Sequence, residues 1–228
     1  MRVSGRIRVL LVDDQELIRY GLRLVLEAED DIVVVGEAAD GEEAVRAAAR
    51  LTADVVLMDV RMPGMGGIEA TRRITAGLPD TRVLVITTYD RDEFAFGALR
   101  AGAAGFLLKN AQPAELVAAI RTVMSGDAVV SPRITTKLIE LAVPHLAGAQ
   151  TGDADEELAV LSDRERDVFL QVARGLTNTE IAHTLHLSES TVKAHFGRIL
   201  TKLGLSSRVQ TVILAYELGV VGRGSSQN

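Results

Sequence analysis

Residues 7–28 read Ile7-Arg8-Val9-Leu10-Leu11-Val12-Asp13-Asp14, then Gln15-Glu16-Leu17-Ile18-Arg19-Tyr20-Gly21-Leu22-Arg23-Leu24-Val25-Leu26-Glu27-Ala28. The first run is strand-forming and stops at two acids. The second places Leu17, Ile18, Leu22, Val25 and Leu26 on one helical stripe. A buried strand feeding an amphipathic helix is the unit from which parallel sheets are built. The unit recurs along the first half of the chain, with strands expected over 7–12, 32–36, 54–59, 83–87 and 105–109 and helices over 15–28, 41–51, 66–77, 92–101 and 113–125. All five strands are rich in Val, Ile and Leu, as strands covered on both faces must be. Gly102 closes one helix and Pro113 opens the next. Strict alternation with connections of this length implies right-handed crossovers and an α/β doubly wound, five-stranded parallel sheet.

Further along, the texture changes. Residues 1–125 form the α/β domain. Residues 126–161 read as a linker with a short helix over 132–141 and an aperiodic, flexible stretch over 143–157. Residues 162–228 carry only helical periods, over 163–174, 178–185, 189–203 and 208–218, so a small all-α, four-helix domain is expected there. Ser162 and Glu165 form a capping box, Gly175 stops the first helix, and Ser188 or Ser190 is available to cap the third. The second and third helices are joined by His186-Leu187-Ser188. Two helices meeting across about three residues, the second bearing exposed cations, make a helix-turn-helix.

The chain has 228 residues, no cysteine and four histidines, which excludes disulfide scaffolds, thiolate metal sites and thiol nucleophiles. No apolar run approaches the ~18 residues of a membrane span, and no signal peptide can be read, so a soluble, cytoplasmic protein with no membrane partner is expected. The net charge of −6 argues against a nucleic-acid partner until it is divided: the three segments carry −4, −4 and +2. Between Ser190 and Arg208 there are four cations and no anion. A polyanion could sit there.

Ligands of an open parallel sheet bind beyond the carboxyl ends of its strands. Those ends carry Asp13 and Asp14, Asp59, Thr87 and Lys109. Asp59 alone reads as a solvated strand-end acid; in this company it reads as a nucleophile. Crowded carboxylates call for a hard cation, and carboxylate, carbonyl and water oxygens suit Mg²⁺. Lys109 and Thr87 supply the charge and hydroxyl that a phosphoryl group attached to one of the acids needs. On the third helix of the second domain, Val192, Phe196, Ile199, Leu200 and Leu203 face inward. Thr191, Lys193, Ala194, Gly197, Arg198 and Lys202 face outward. Lys193 and Ala194, in its first turns, are placed for base edges; Thr177, Thr191, Lys202 and Arg208 for phosphates. His195 rides on this helix and reads equally as a packing residue. The last helix carries Val209, Val212, Ile213 and Tyr216, more apolar surface than one small core needs, so part of it is free to pair with a second copy.

Residues 7–125 resemble the receiver domain of two-component response regulators, through Asp13-Asp14, Met58-Asp59-Val60-Arg61-Met62-Pro63-Gly64 and Gly105-Phe106-Leu107-Leu108-Lys109. Residues 162–220 resemble the LuxR/NarL-type helix-turn-helix output domain, through Leu161-Ser162-Asp163-Arg164-Glu165, Gly175-Leu176-Thr177-Asn178-Thr179-Glu180-Ile181-Ala182 and Ser190-Thr191-Val192-Lys193-Ala194-His195. The resemblance covers about four fifths of the chain. It implies that Asp59 accepts phosphate from a sensor histidine kinase. It also implies that Asp14, Asp59 and the main-chain carbonyl of Arg61 hold Mg²⁺ with Asp13 acting through water, that Thr87 and Lys109 bind phosphoryl oxygens, and that Phe106 is the aromatic that rotates with Thr87. Arg61 and Tyr89 are expected to flank the phosphoryl group and slow the water that removes it. Asn110 stands where many receivers have proline, and Phe106 lacks the hydroxyl of a tyrosine. Some output domains of this type carry a base-reading lysine at the position of Gly197. The implied function is a non-enzymatic, phosphorylation-controlled regulator that binds double-stranded promoter DNA as a homodimer. Two rivals are an adaptor whose output domain no longer binds DNA, and a hydrolase with Asp59 as nucleophile; the second lacks a cap domain and a further acid–base pair.

Overall fold

Five strands, β1 (Ile7–Val12), β2 (Ile32–Ala38), β3 (Val55–Asp59), β4 (Arg82–Thr87) and β5 (Gly105–Leu108), form one all-parallel sheet in the order β2-β1-β3-β4-β5. Between and after them run α1 (Glu16–Glu27), α2 (Gly41–Leu51), α3 (Gly67–Gly77), α4 (Asp92–Arg100) and α5 (Pro113–Met124). The computed structural model describes residues 5–87, 92–127 and 157–220. The expected helix over 132–141, nearly all of the 143–157 stretch and Tyr89 lie outside them.

The chain divides into two units, Met1–Ser131 and Pro132–Asn228. In the first, β1, β3 and β4 are buried almost throughout, which is why their sequences are continuous apolar runs. Val9, Leu11, Val55, Leu57, Leu84 and Ile86 pack against Leu26 of α1 and Leu116, Val117, Ile120 and Val123 of α5. Alternate residues point to the other face, where α2 and α3 pack on each other. The Asp54 carboxylate accepts the Arg8 backbone N–H at 2.9 Å and so helps hold the start of β1. A second difference concerns α1. Leu17 is 80% exposed, and Tyr20 and Leu24 are exposed beside it, because the sheet covers only the side bearing Ile18, Leu22, Val25 and Leu26.

The second unit contains α6 (Asp163–Ala173), α7 (Asn178–Leu185), α8 (Glu189–Leu203) and α9 (Arg208–Glu217), preceded by a 3₁₀ turn, Leu158–Val160. Leu158 and Leu161 belong to the core with Val168, Phe169, Val172, Ile181, Val192, Phe196, Ile199 and Ala215. This packed unit therefore begins before residue 162, inside the stretch expected to be linker. Capping fixes its turns. The Ser162 N–H donates to Glu165 Oε2 at 2.9 Å, the Thr177 N–H donates to Glu180 Oε2 at 2.7 Å, and Ser188 rather than Ser190 caps α8. His186 ends α7 with φ of 53°, in the left-handed region, and so turns the chain into α8.

Candidate functional site

The strand order reverses between β1 and β3, and the crevice beyond their carboxyl ends is the site. Asp13 follows β1 and Asp59 ends β3. Lys109, just past β5, reaches both, with Nζ 2.5 Å from Asp13 Oδ2 and 3.3 Å from Asp59 Oδ1. Asp13 is fully buried, and its Oδ1 accepts the Gln15 N–H at 3.0 Å. Asp14 is exposed at the mouth, and the carboxylate oxygens of Asp13, Asp14 and Asp59 lie within 4.8 Å of one another. Thr87 is buried at the end of β4, where its carbonyl accepts the Lys109 N–H at 2.8 Å. Phe106 is buried on β5, paired in register with Val85. The cleft, about 330 Å³, is lined by Asp14, Gln15, Asp59, Arg61, Met62, Pro63 and Lys109.

Burial pushes the Asp59 carboxyl up from its ordinary range; Lys109 opposes this and the neighbouring Asp13 adds to it. Three carboxylates around one ammonium leave an excess of negative charge, and their oxygens are the hard donors that Mg²⁺ takes. The donor set fits that ion. Sequence reasoning did not single out Gln15, Met62 or Gly67. A Cβ at Gly67 would overlap the Asp59 carbonyl oxygen, so glycine there lets α3 start directly against the acid; the signal was the Gly66-Gly67 pair following Met65.

On α8, Lys193, Ala194, Gly197 and Arg198 are exposed on the side opposite Val192, Phe196 and Ile199. Thr191 is half-buried, with Oγ1 2.8 Å from Ser188 Oγ, and Thr177 is exposed at the start of α7. His195 Nδ1 is buried without a hydrogen-bond partner.

Two expected positions, Arg208 and Val209, are corrected by their burial, and exposed Lys202 has a partner that was not expected. Arg208 is only 7% exposed: its guanidinium donates to Asn178 Oδ1 at 3.0 Å and to the Leu176 carbonyl, and lies 5.2 Å from the Phe196 ring centroid. It joins α9 to the start of α7 and to α8, and its charge is turned inward, away from any phosphate. Lys202 Nζ is 2.7 Å from Glu165 Oε2, so its ammonium ties the end of α8 to the capping box of α6. Val209 is 3% exposed and therefore part of the interior, and half-buried Val212 packs against the core, leaving Ile213 and Tyr216 as the half-buried apolar positions of α9 outside it.

A sheet of this order with paired acids and a lysine at its switch point, on one chain with a helix-turn-helix, defines a transcriptional response regulator. Residues 9–121 match the response regulator receiver domain, and residues 159–215 match the bacterial regulatory proteins of the luxR family. The chain belongs to the response regulators that join these two domains, and its output domain is of the LuxR DNA-binding type. It is 42% identical over 218 residues to the uncharacterized transcriptional regulatory protein YxjL of Bacillus subtilis (strain 168), covering 96% of this chain and 99% of that one. It is 39% identical to the transcriptional regulatory protein LiaR of the same organism, covering 92% and 97%. The crystal structure of the response regulator ChrA of a heme-sensing two-component system is similar with a TM-score of 0.51 and 34% identity, covering 96% and 100%. Among the described residues no helix is long and apolar enough to cross a membrane.

Proposed function

We propose that this chain is a regulator of transcription switched by phosphorylation of Asp59, with a sensor histidine kinase as donor. The observation that carries this reading is the Lys109 ammonium held between Asp13 and Asp59 at the strand switch point. A carboxylate oxygen of Asp59 attacks the phosphorus. The O–P bond forms as the P–N bond to the donor histidine breaks, and the imidazole keeps the electron pair. Asp14, Asp59 and the main-chain carbonyl of Arg61, with Asp13 through water, would hold Mg²⁺, which when bound neutralises charge on the phosphoryl oxygens. Lys109 turns from Asp59 to a phosphoryl oxygen, and the Thr87 hydroxyl donates to another. Phe106, already buried on β5, repacks as Thr87 shifts. The exposed Leu17, Tyr20 and Leu24, beginning three residues after Asp14, offer the kinase an apolar surface beside the cleft. The chain catalyses nothing beyond its own phosphorylation and dephosphorylation.

The output is sequence-specific binding of promoter DNA in the cytoplasm. Lys193 and Ala194 meet base edges; Thr177, Thr191 and Arg198 meet phosphates. Before phosphorylation the output domain is masked from DNA. Phosphorylation releases the output domain, which pairs through Ile213 and Tyr216. With Mg²⁺ and a small phosphodonor, the wild-type protein is expected to gain one phosphoryl group by mass and Asp59→Asn none, since an amide is no nucleophile. Equal labelling of the two proteins would refute the assignment of Asp59.

A further inference from the structure

Most described glycines have a structural reason to be glycine. Gly64, Gly102, Gly126, Gly175, Gly204 and Gly219 have positive φ. At Gly41 and Gly67 a Cβ would overlap a backbone carbonyl, and at Gly97 it would press on Ile68. Gly197 has neither reason. It lies in the middle of α8 with ordinary helical backbone, is exposed, and a Cβ added there would meet nothing within 4 Å. Glycine is among the poorest helix formers, so α8 is weakened at its centre without an internal gain. Gly21 on α1 is the other mid-helix glycine with open space, between the exposed Tyr20 and Leu24.

The helical repeat places Gly197 beside Ala194 on the line opposite Val192, Phe196 and Ile199, between the exposed cations Lys193 and Arg198. On the DNA-binding reading above, which this inference rests on, that line faces the groove. We propose that Gly197 is a specificity-determining position at which the α8 backbone itself lies against the DNA. The missing Cβ sets how deeply the helix seats, and depth brings Lys193 to base edges and Arg198 to phosphates. A methyl group at 197 lifts the helix and weakens base-level contacts first. Sequence-independent binding, made through flexible cations over a longer range, changes less.

The test uses the full-length protein, phosphodonor-treated, and two DNA probes: a duplex recovered by the wild type from a random-sequence pool, and a fixed duplex of unrelated sequence. Gly197→Ala is expected to raise Tm and to weaken binding to the selected duplex by about tenfold, the size of one lost base-pair contact, leaving the unrelated duplex within about twofold. Gly197→Ser should behave alike, with a smaller gain in Tm. Wild-type affinity of Gly197→Ala for the selected duplex would overturn the proposal. So would a lowered Tm, because the position would then be structurally required. If the wild type enriches no sequence, the DNA-binding reading itself fails and takes this inference with it; if Lys193→Ala loses the selected duplex while Gly197→Ala keeps it, only the inference fails.

Discussion

Asp59 is held where its charge is unwelcome. Its carboxyl is pushed up by burial, so folding favours the protonated acid. The contribution of the neutral form is fully present below the unfolded carboxylate range and is lost as pH rises through the raised folded value; at neutral pH the ionised group therefore destabilises the receiver. Asn mimics the neutral acid. Asp59→Asn is expected to melt a few degrees above wild type at pH 7, and the difference should vanish as the pH falls through the carboxylate range. Added Mg²⁺ should raise Tm of the wild type more than that of Asp59→Asn, since an ionised oxygen is the better ligand. Thermal scans at several pH values check both. Gly67 acts on the same residue from outside: Gly67→Ala forces α3 away from the Asp59 carbonyl. A loss of ~1–3 kcal/mol, typical of overpacking, should accompany slower phosphoryl uptake. A Gly67→Ala protein with unchanged Tm and labelling rate would show that the helix start has room to give.

At the scale of the element, α8 is anchored at both ends. Ser188 caps its start, and Lys202 near its end pairs with Glu165, whose carboxylate also accepts the Ser162 N–H. Lys202 first, and then that N–H, hold the Glu165 carboxyl down at about 2, below its ordinary 4.5. A depressed carboxylate stabilises above its unfolded value, and the contribution is lost as pH falls towards about 2. The wild-type melting temperature should therefore fall more steeply below the ordinary carboxylate range than that of Glu165→Gln. The same geometry separates a latch from a phosphate contact. Lys202→Met should weaken DNA binding without changing its dependence on salt, and the exchanged pair Glu165→Lys with Lys202→Glu should restore part of the affinity. A shallower salt slope for Lys202→Met would mean that the lysine meets a phosphate.

For the whole molecule, the inward turn of Arg208 and the Lys202–Glu165 pair reduce the cations free for DNA. Lys193 and Arg198 remain, and with Lys193 on base edges only Arg198 of the two meets phosphates, which makes two such cationic contacts in a dimer and a log-log salt slope of about −2, where four per copy would give about −7. Filter binding across a salt series checks this. A twofold dimer sets its recognition helices on an inverted repeat with half-sites ~10 bp apart, so a footprint over one unrepeated half-site would exclude it. Masking predicts that a fragment of residues 157–228, which keeps Leu158 in its core, binds more tightly than the unphosphorylated full-length protein. Equal affinities would remove the release step.

Periodicity alone made five βα units legible, because buried parallel strands must be continuous apolar runs and the helices between them must each carry an apolar stripe. It also made the rim legible, since the acids, Thr87 and Lys109 sit at strand ends whatever the details of packing. The four output helices were readable for the same reason, with a cap at Ser162 and one at Ser188 or Ser190, between which only the structure chose. What sequence could not decide is which of two chemically equal residues turns inward. Arg208 and Lys193 are both cations on helices of the output domain, yet Asn178, the Leu176 carbonyl and Phe196 converge on one and leave the other in solvent. Lys202 meets Glu165 across 37 residues, and Leu158 joins a core from beyond the expected boundary. Leu17 matches its stripe in type but is left exposed. Such choices depend on contacts between residues far apart in the chain, and those distances exist only once the elements have packed.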